Sequence, residues 1–220
     1  MHEPEAQRRF ADLLSVEDRR RLIDAAATRD FGRDATIIAA DEPPGEMFLI
    51  LSGKARVSVF SEDGKEISYC DLGPGDIFGE LALLDDQPRS AFVTALTQLR
   101  AAALRRADFE RLVRGAPQVA LAMNVYLAAK LRSMTTRVLE RSTMLVPERL
   151  ARELARRAER AGADGDRAVI RPIPPHADLA ARIDTHREAV TKELGRLARE
   201  GLIVRDGDAL IIPSLRDLLG

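Results

Sequence analysis

Between Ala35 and about Leu104, apolar residues come in short runs: Thr36-Ile37-Ile38, Met47 to Phe60, Ile67 to Leu72, Phe92 to Leu96 and Leu99 to Leu104. Glu42-Pro43-Pro44-Gly45, Ser61-Glu62-Asp63-Gly64 and Asp71-Leu72-Gly73-Pro74-Gly75-Asp76 separate them, and such clusters favour tight turns. Val57 and Val59 alternate with Arg56 and Ser58, the period of a half-buried strand. Many short strands at this spacing predict a roll, barrel or sandwich. A helical stretch from roughly Ser15 to Thr28 precedes them.

The pattern then turns helical. Asp108 caps a brief segment ending near Gly115, and Pro117 suits the first turn of a longer helix. That helix can run to Val146, where Pro147 stops it. Leu127, Leu131, Met134, Val138 and Leu145 follow spacings of four and three, with Arg141 as a polar break and Asn124 as the next seam position. This predicts a parallel two-stranded coiled coil, hence a homodimer. The plainer reading is a stripe covering the strands, and opposite faces of one helix can do both. From Pro147 onward the chain predicts a helix (Glu148 to Arg160), a turn (Ala161 to Asp166) and a strand (Ala168 to Ile173). Two helices follow Pro174-Pro175. A hairpin from Leu202-Ile203-Val204 through Asp206-Gly207-Asp208 to Ile212 comes last. The class is α+β, in three parts: 1–116, 117–146 and 147–220.

Composition narrows the chemistry. The formal net charge is −1, with 15 basic against 13 acidic residues from Arg141 onward, so nucleic-acid binding must rest on a local patch. Only four lysines occur, Lys54, Lys65, Lys130 and Lys192, so a single arginine is weak evidence of a special role. Cys70 is the one cysteine, which excludes an internal disulfide, a four-cysteine zinc site and an all-cysteine iron–sulfur cluster within one chain. It reads as a buried strand residue. The first twenty residues have no apolar signal core, and the stretch Val119 to Leu131 is broken by Asn124 and Lys130 and too short to span a bilayer. A cytoplasmic protein with no membrane partner is expected.

The most informative segment is Phe78-Gly79-Glu80-Leu81-Ala82-Leu83, continued after a short gap by Pro88-Arg89-Ser90-Ala91. A glycine lets backbone approach a ligand, and the helical turn after it points N–H groups at an anion. Glu80 can accept from ribose hydroxyls, and Arg89 offers a planar fork of donors for a phosphate. Taken singly, Gly79 is a turn residue, Glu80 a helix-start residue and Arg89 a solvated loop residue. The ordered set resembles the phosphate-binding cassette of cyclic-nucleotide-binding domains. Leu51-Ser52-Gly53 and Leu72-Gly73-Pro74-Gly75-Asp76 resemble that domain's glycine turns. The resemblance covers roughly residues 10 to 140 and implies a β-roll (jelly-roll). It places Gly79, Glu80 and Leu81 near the ribose, and Arg89, Ser90 and Ala91 at the cyclic phosphate. By the same resemblance Met134 and Thr135 stand where the family reads the base with a Thr-Ser pair; Met134 departs from that, so cyclic AMP and cyclic GMP both stay open, cyclic AMP favoured. No metal is implied.

His176 to Leu197 reads as two helices joined by a tight turn. Leu179, Ala180, Ile183, Val190 and Leu194 fall at buried positions, and Asp184 takes the turn, a residue tolerant of left-handed backbone. Thr185 then caps the second helix, leaving His186, Arg187, Glu188 and Lys192 on its exposed N-terminal face. With the cassette and hairpin, Thr185-His186-Arg187-Glu188-Ala189-Val190 and Leu194 to Ile203 resemble the cyclic-AMP receptor (CRP/FNR) family over essentially the whole chain. The resemblance implies a winged helix-turn-helix reading double-stranded DNA, with Arg187 on a guanine, Glu188 on a cytosine amino group and Lys192 as third reader. Thr185 and Glu188 also spell a capping box, Arg187 alternatively contacts only phosphate, and His186 reads better as a backbone contact. The implied mechanism is allosteric. Cyclic nucleotide orders the dimer helices, sets the recognition helices about one DNA turn apart on a pseudo-palindrome, and so recruits or blocks RNA polymerase. Three alternatives stay open: a nucleotide-independent regulator of the same fold, a cyclic-nucleotide module governing an enzyme or channel, and, least favoured, a catalytic role, for which no constellation stands out.

Overall fold

The computed structural model describes residues 9–60, 66–163 and 165–220. The expected turn Ser61-Glu62-Asp63-Gly64, with Lys65 and Asp164, lies outside them. A 3-10 turn (Phe10–Leu13) and α1 (Val16–Asp24) lead into β1 (Ala27–Phe31), β2 (Thr36–Ile38), β3 (Met47–Ser52), β4 (Ala55–Phe60), β5 (Glu66–Leu72) and β6 (Ile77–Phe78). Then come α2 (Glu80–Asp85), β7 (Phe92–Ala95), β8 (Leu99–Leu104), α3 (Arg106–Gly115) and α4 (Pro117–Thr143). The remainder is α5 (Val146–Arg160), β9 (Ala168–Ile170), α6 (His176–Ile183), α7 (Arg187–Arg199), β10 (Val204–Asp206), β11 (Ala209–Ile212) and α8 (Leu215–Leu219). The fold class is α+β: a β-roll, a long helix and a winged helix-turn-helix. The chain divides into two compact units, one ending at Leu131 and the other beginning at Arg132. Among the described residues no helix is long and apolar enough to cross a membrane.

Two four-stranded antiparallel sheets, ordered β1-β8-β3-β6 and β2-β7-β4-β5, make the roll. Within the first sheet β3 is buried on both faces, which explains its unbroken apolar run from Met47 to Ile50. Phe48 and Ile50 point into the roll with Phe78, Val93 and Ala101. Met47 and Leu49 point the other way, onto Leu22, Phe109, Val119, Met123 and Tyr126 of the helices. The small residues Ala101, Ala102 and Ala103 of β8, all buried, let both layers approach closely.

Several sequence expectations shift. The helix expected over Ser15–Thr28 stops at Asp24, because β1 takes Ala27–Phe31 to pair with β8. Thr28, Arg29 and Asp30 are exposed on that edge strand, so no hydrophobic alternation announced it. The run Met47–Phe60 is two strands, broken at Gly53, whose φ is 87°. Asp108 does not cap α3: it sits inside the first turn, and its carboxylate accepts from Arg105 (3.0 Å) and Arg111. Cys70 is half-buried in β5 rather than buried.

The long helix ends at Thr143, not Val146. Ser142 and Thr143 donate to the carbonyls of Val138 (3.0 Å) and Leu139 (2.8 Å), a local pairing that competes with helix continuation. The residue before Pro147 is also steered from helical backbone by its ring unless it begins a new helix. Here it does: Val146 opens α5, and the Glu148 carboxylate accepts from the Leu145 N–H at 2.8 Å. Leu145 is therefore off the seam. Leu127 packs against the roll's helical core, whereas Leu131, Met134 and Val138 are exposed. The roll's core thus takes up Leu127, while Leu131, Met134 and Val138 stay uncovered within the chain.

In the second unit, α5, α6, α7 and α8 pack with an antiparallel sheet ordered β10-β11-β9. β9 stops at Ile170, short of the expected Ile173, and the hairpin turns on Gly207-Asp208 with Asp206 still in β10.

Candidate functional site

The cassette residues converge on one cavity of about 60 Å³, lined by Gly79, Glu80, Leu81, Arg89, Ser90 and Ala91 with Ile38, Val57, Phe78, Val93 and Lys130. Gly79 is in left-handed backbone (φ 76°) at the start of α2. A Cβ there would meet Arg89 Nη1 at 2.8 Å and the Glu46 carbonyl at 3.0 Å, and one on Gly45 would meet Arg89 Nη2 at 2.9 Å. Two glycines therefore form the slot that admits the guanidinium. Arg89 is 7% exposed and donates to the carbonyls of Gly79 (3.0 Å) and Glu46 (2.8 Å). Its backbone is fixed too, with its N–H on Glu42 O (2.9 Å) and its carbonyl on Asp41 N–H (2.9 Å). Burial depresses the Arg89 pKa, and the fields of Glu42, Glu46 and Glu80 work against that depression. Guanidinium stays charged in proteins, so this is a desolvated cation with donors to spare beside a cavity.

Glu80 is 2% exposed, and its Oε1 accepts from Lys130 Nζ at 2.7 Å. The ammonium also lies 5.6 Å from the centre of the Tyr126 ring, within cation–π range. Burial, then Glu80, Asp76 and Cys70, push the Tyr126 pKa well above its ordinary value, keeping a neutral phenol there. Sequence reasoning missed Lys130 as a site residue. The signal was present: a rare lysine interrupts an otherwise apolar helical stretch. Leu81 and Ser90 are exposed and Ala91 is half-buried. Met134 and Thr135 are exposed on α4, beyond Lys130, and belong to the second unit rather than to the one holding the cassette.

In the second unit, Leu179, Ala180, Ile183 and Val190 are buried and Leu194 is half-buried, so the helix pair is built as its pattern predicts. Asp184 adopts φ 53°, and both its N–H and that of Thr185 donate to Ala180 O, closing α6. α7 begins at Arg187, one residue later than the pattern predicts, so His186 rather than Thr185 stands at the N-cap, with no side-chain capping bond. Arg187, Glu188 and Lys192 are exposed together on the N-terminal half of α7, with His186 exposed before them. Thr191 joins this face unanticipated. Its hydroxyl donates to Arg187 O (3.0 Å) and meets His176 Nδ1 at 2.7 Å, tying α7 to α6.

Comparison with known proteins gives these two regions their identity. Residues 28–115 match the family model of the cyclic nucleotide-binding domain, and residues 148–219 match the Crp-like helix-turn-helix domain. A cyclic AMP receptor protein of Thermus thermophilus is 36% identical over 157 residues, covering 71% of this chain and 70% of the relative. A CRP-like cAMP-activated global transcriptional regulator of Mycobacterium tuberculosis is 29% identical over 184 residues, covering 83% and 82%. The c-di-GMP responsive regulator CLP of Xanthomonas campestris superposes with a TM-score of 0.77 at 19% identity, covering 91% of this chain and all of that one, and speaks for the fold alone. The chain belongs to the CRP/FNR family of ligand-responsive, DNA-binding transcription regulators.

Proposed function

We propose that this regulator is a cytoplasmic homodimer switched by a cyclic mononucleotide, with cyclic AMP preferred over cyclic GMP, and that it acts on RNA polymerase at a pseudo-palindromic DNA site. The observation that carries the reading is the pairing of a buried carboxylate, Glu80, with a buried guanidinium, Arg89, at one small cavity. A ring-closed ribose phosphate needs that set: an acceptor for a sugar hydroxyl and a cation for one negative charge. Arg89 retains donors for the phosphate after serving two carbonyls, since guanidinium carries five N–H groups. Ser90 adds a hydroxyl, and the N–H groups of Ser90 and Ala91 complete the cradle. Gly79 and Leu81 flank the ribose at Glu80, whose second oxygen is left to the sugar by Lys130. Met134 and Thr135 are the candidates for base contact across a dimer. The names of the relatives favour cyclic AMP.

Exposed Leu131, Met134 and Val138 on α4 supply the dimer seam, as heptad-spaced apolar residues do in coiled coils. DNA is met by His186, Arg187, Glu188 and Lys192, with Thr185 at the backbone. Arg187 takes a guanine bidentately, Glu188 a cytosine amino group and Lys192 a third base with less directional demand. Ligand then raises DNA affinity by favouring one orientation of the recognition helices over others. Calorimetric titration of the full chain with cyclic AMP and cyclic GMP tests the reading. Saturable one-per-chain binding of cyclic AMP, tighter than cyclic GMP, is expected; heat from neither nucleotide refutes it.

A further inference from the structure

The second unit holds a buried ionic cluster that neither the cassette nor the DNA-facing surface uses. Glu153 of α5 is 2% exposed and accepts from Arg157 Nε (3.1 Å) and Arg156 Nε (3.3 Å). Arg182 of α6, itself 6% exposed, brings its Nε to 3.7 Å from the same carboxylate. Arg156 also donates to both oxygens of Glu140 on α4 at 2.9 Å, and Glu140 is 5% exposed. Arg137 of α4 adds its field to Glu153. One carboxylate thus gathers cations from three helices.

The core of the second unit joins Leu150, Leu154, Leu179, Ile183, Val190 and Leu197, from α5, α6 and α7. Among the described residues it takes none from α4. The α4 segment after Leu131 thus lies outside that core and meets α5 through Glu140 with Arg156 and through Arg149 on the Arg141 carbonyl, while Glu153 and Arg182 join α5 to α6. Buried ion pairs add little net stability but demand distance and direction, and losing one partner leaves like charges facing each other.

We infer that Glu153 is a positioning residue, which with Glu140 and the arginines of α4, α5 and α6 fixes the end of the long helix to the helix-turn-helix. It rests on the allosteric reading above and names the joint through which a rearrangement of α4 reaches the recognition helix. α6 carries the motion onward because Ala180 and Ile183 share a core with Val190 of α7.

The test uses full-length Glu153→Gln and Glu140→Gln. Each should bind cyclic AMP within about threefold of the parent and keep its non-specific DNA affinity. Nucleotide stimulation of specific DNA binding should fall by about tenfold or more in Glu153→Gln, within the usual range of allosteric coupling, and by less in Glu140→Gln. In a Cys70→Ser background, spin labels at Thr136→Cys and Ala198→Cys, in labelled subunits diluted with unlabelled ones, should show a broadened distance distribution once Glu153→Gln is added. If Glu153→Gln melts early, Glu153→Met with Arg182→Met restores packing without that ion pair, and stimulation should still be lost. Undiminished stimulation with an unchanged distance distribution overturns the inference. A parent that binds no nucleotide refutes the allosteric reading instead, and the label distances still decide whether Glu153 holds the joint.

Discussion

Replacing Arg89 with glutamine removes the cation from the cavity and leaves a neutral, shorter amide donor in its place. In the parent, the guanidinium is 7% exposed and two of its N–H groups serve Gly79 O and Glu46 O. The rest remain for a phosphate. Charge-assisted hydrogen bonds contribute roughly 1.5–3 kcal/mol each, so removing two at the lower figure costs about 3 kcal/mol of ligand binding. That corresponds to a Kd weakened on the order of a hundredfold. Arg89→Lys keeps the charge without the fork and should fall between, weaker by about tenfold. Stability falls as well, since each carbonyl left unpaired costs about 1–3 kcal/mol, and a thermal melt run alongside separates unfolding from weakened affinity. Isothermal titration with cyclic AMP is the assay. Folded Arg89→Gln binding within about threefold of the parent would refute the reasoning.

Lys130→Ala should release the Glu80 carboxylate and weaken cyclic AMP by about tenfold, the worth of one charge-assisted hydrogen bond; a calorimetric Kd equal to the parent's would show that lysine to have no part in the pocket. Glu188→Ala should relax base preference in a binding-site selection while leaving non-specific affinity nearly unchanged, and a uniform loss across sequences would contradict base readout. Burial pushes the Glu153 pKa up, but the fields of Arg182, Arg157, Arg156 and Arg137 together outweigh it and hold the carboxyl below its ordinary value. Its folded pKa then lies under the unfolded one, so the stabilisation is present above the unfolded pKa and lost as pH falls through the folded one. Denaturant titrations from pH 6 to about 3 should show a shallower acid decline for Glu153→Gln; identical slopes would remove that assignment. Val138→Glu, on the exposed seam of α4, should shift the chain toward monomer in analytical ultracentrifugation, and an unchanged sedimentation coefficient would argue for another dimer surface.

Where one face of an element was buried and the other not, its nature was legible. The buried spacing of Leu179, Ala180, Ile183 and Val190 corresponds to elements that form, whereas β4 forms with Ser58 buried and Val57 and Val59 only half-buried, across a register shift between Val57 and Ser58. The break at Gly53 was legible only as the glycine turn Leu51-Ser52-Gly53 that the resemblance marks, because the two-sided burial of β3 leaves its apolar run from Met47 to Ile50 without phase. β1 was invisible for the opposite reason: its partner on β8 supplies the ladder, and Thr28, Arg29 and Asp30 are all exposed. The cassette was readable because Gly79, Glu80, Arg89 and Ser90 are close in sequence. Lys130 meets Glu80 only after folding, from a helix 50 residues away. The same holds for Glu153, whose arginines come from α4, α5 and α6. Helix boundaries shifted where local hydrogen bonding decided them, as with Thr143 closing α4 and Thr185 closing α6 instead of opening α7.

Fluorescence anisotropy of a labelled duplex, taken from a random-sequence selection with this protein, tests most directly whether ligand in the roll governs DNA reading. With saturating cyclic AMP the apparent Kd should tighten by about tenfold or more, as a coupling of a few kcal/mol requires, and Arg89→Gln should abolish the change. Equal affinity with and without nucleotide, in a protein shown by calorimetry to be saturated, would contradict the account.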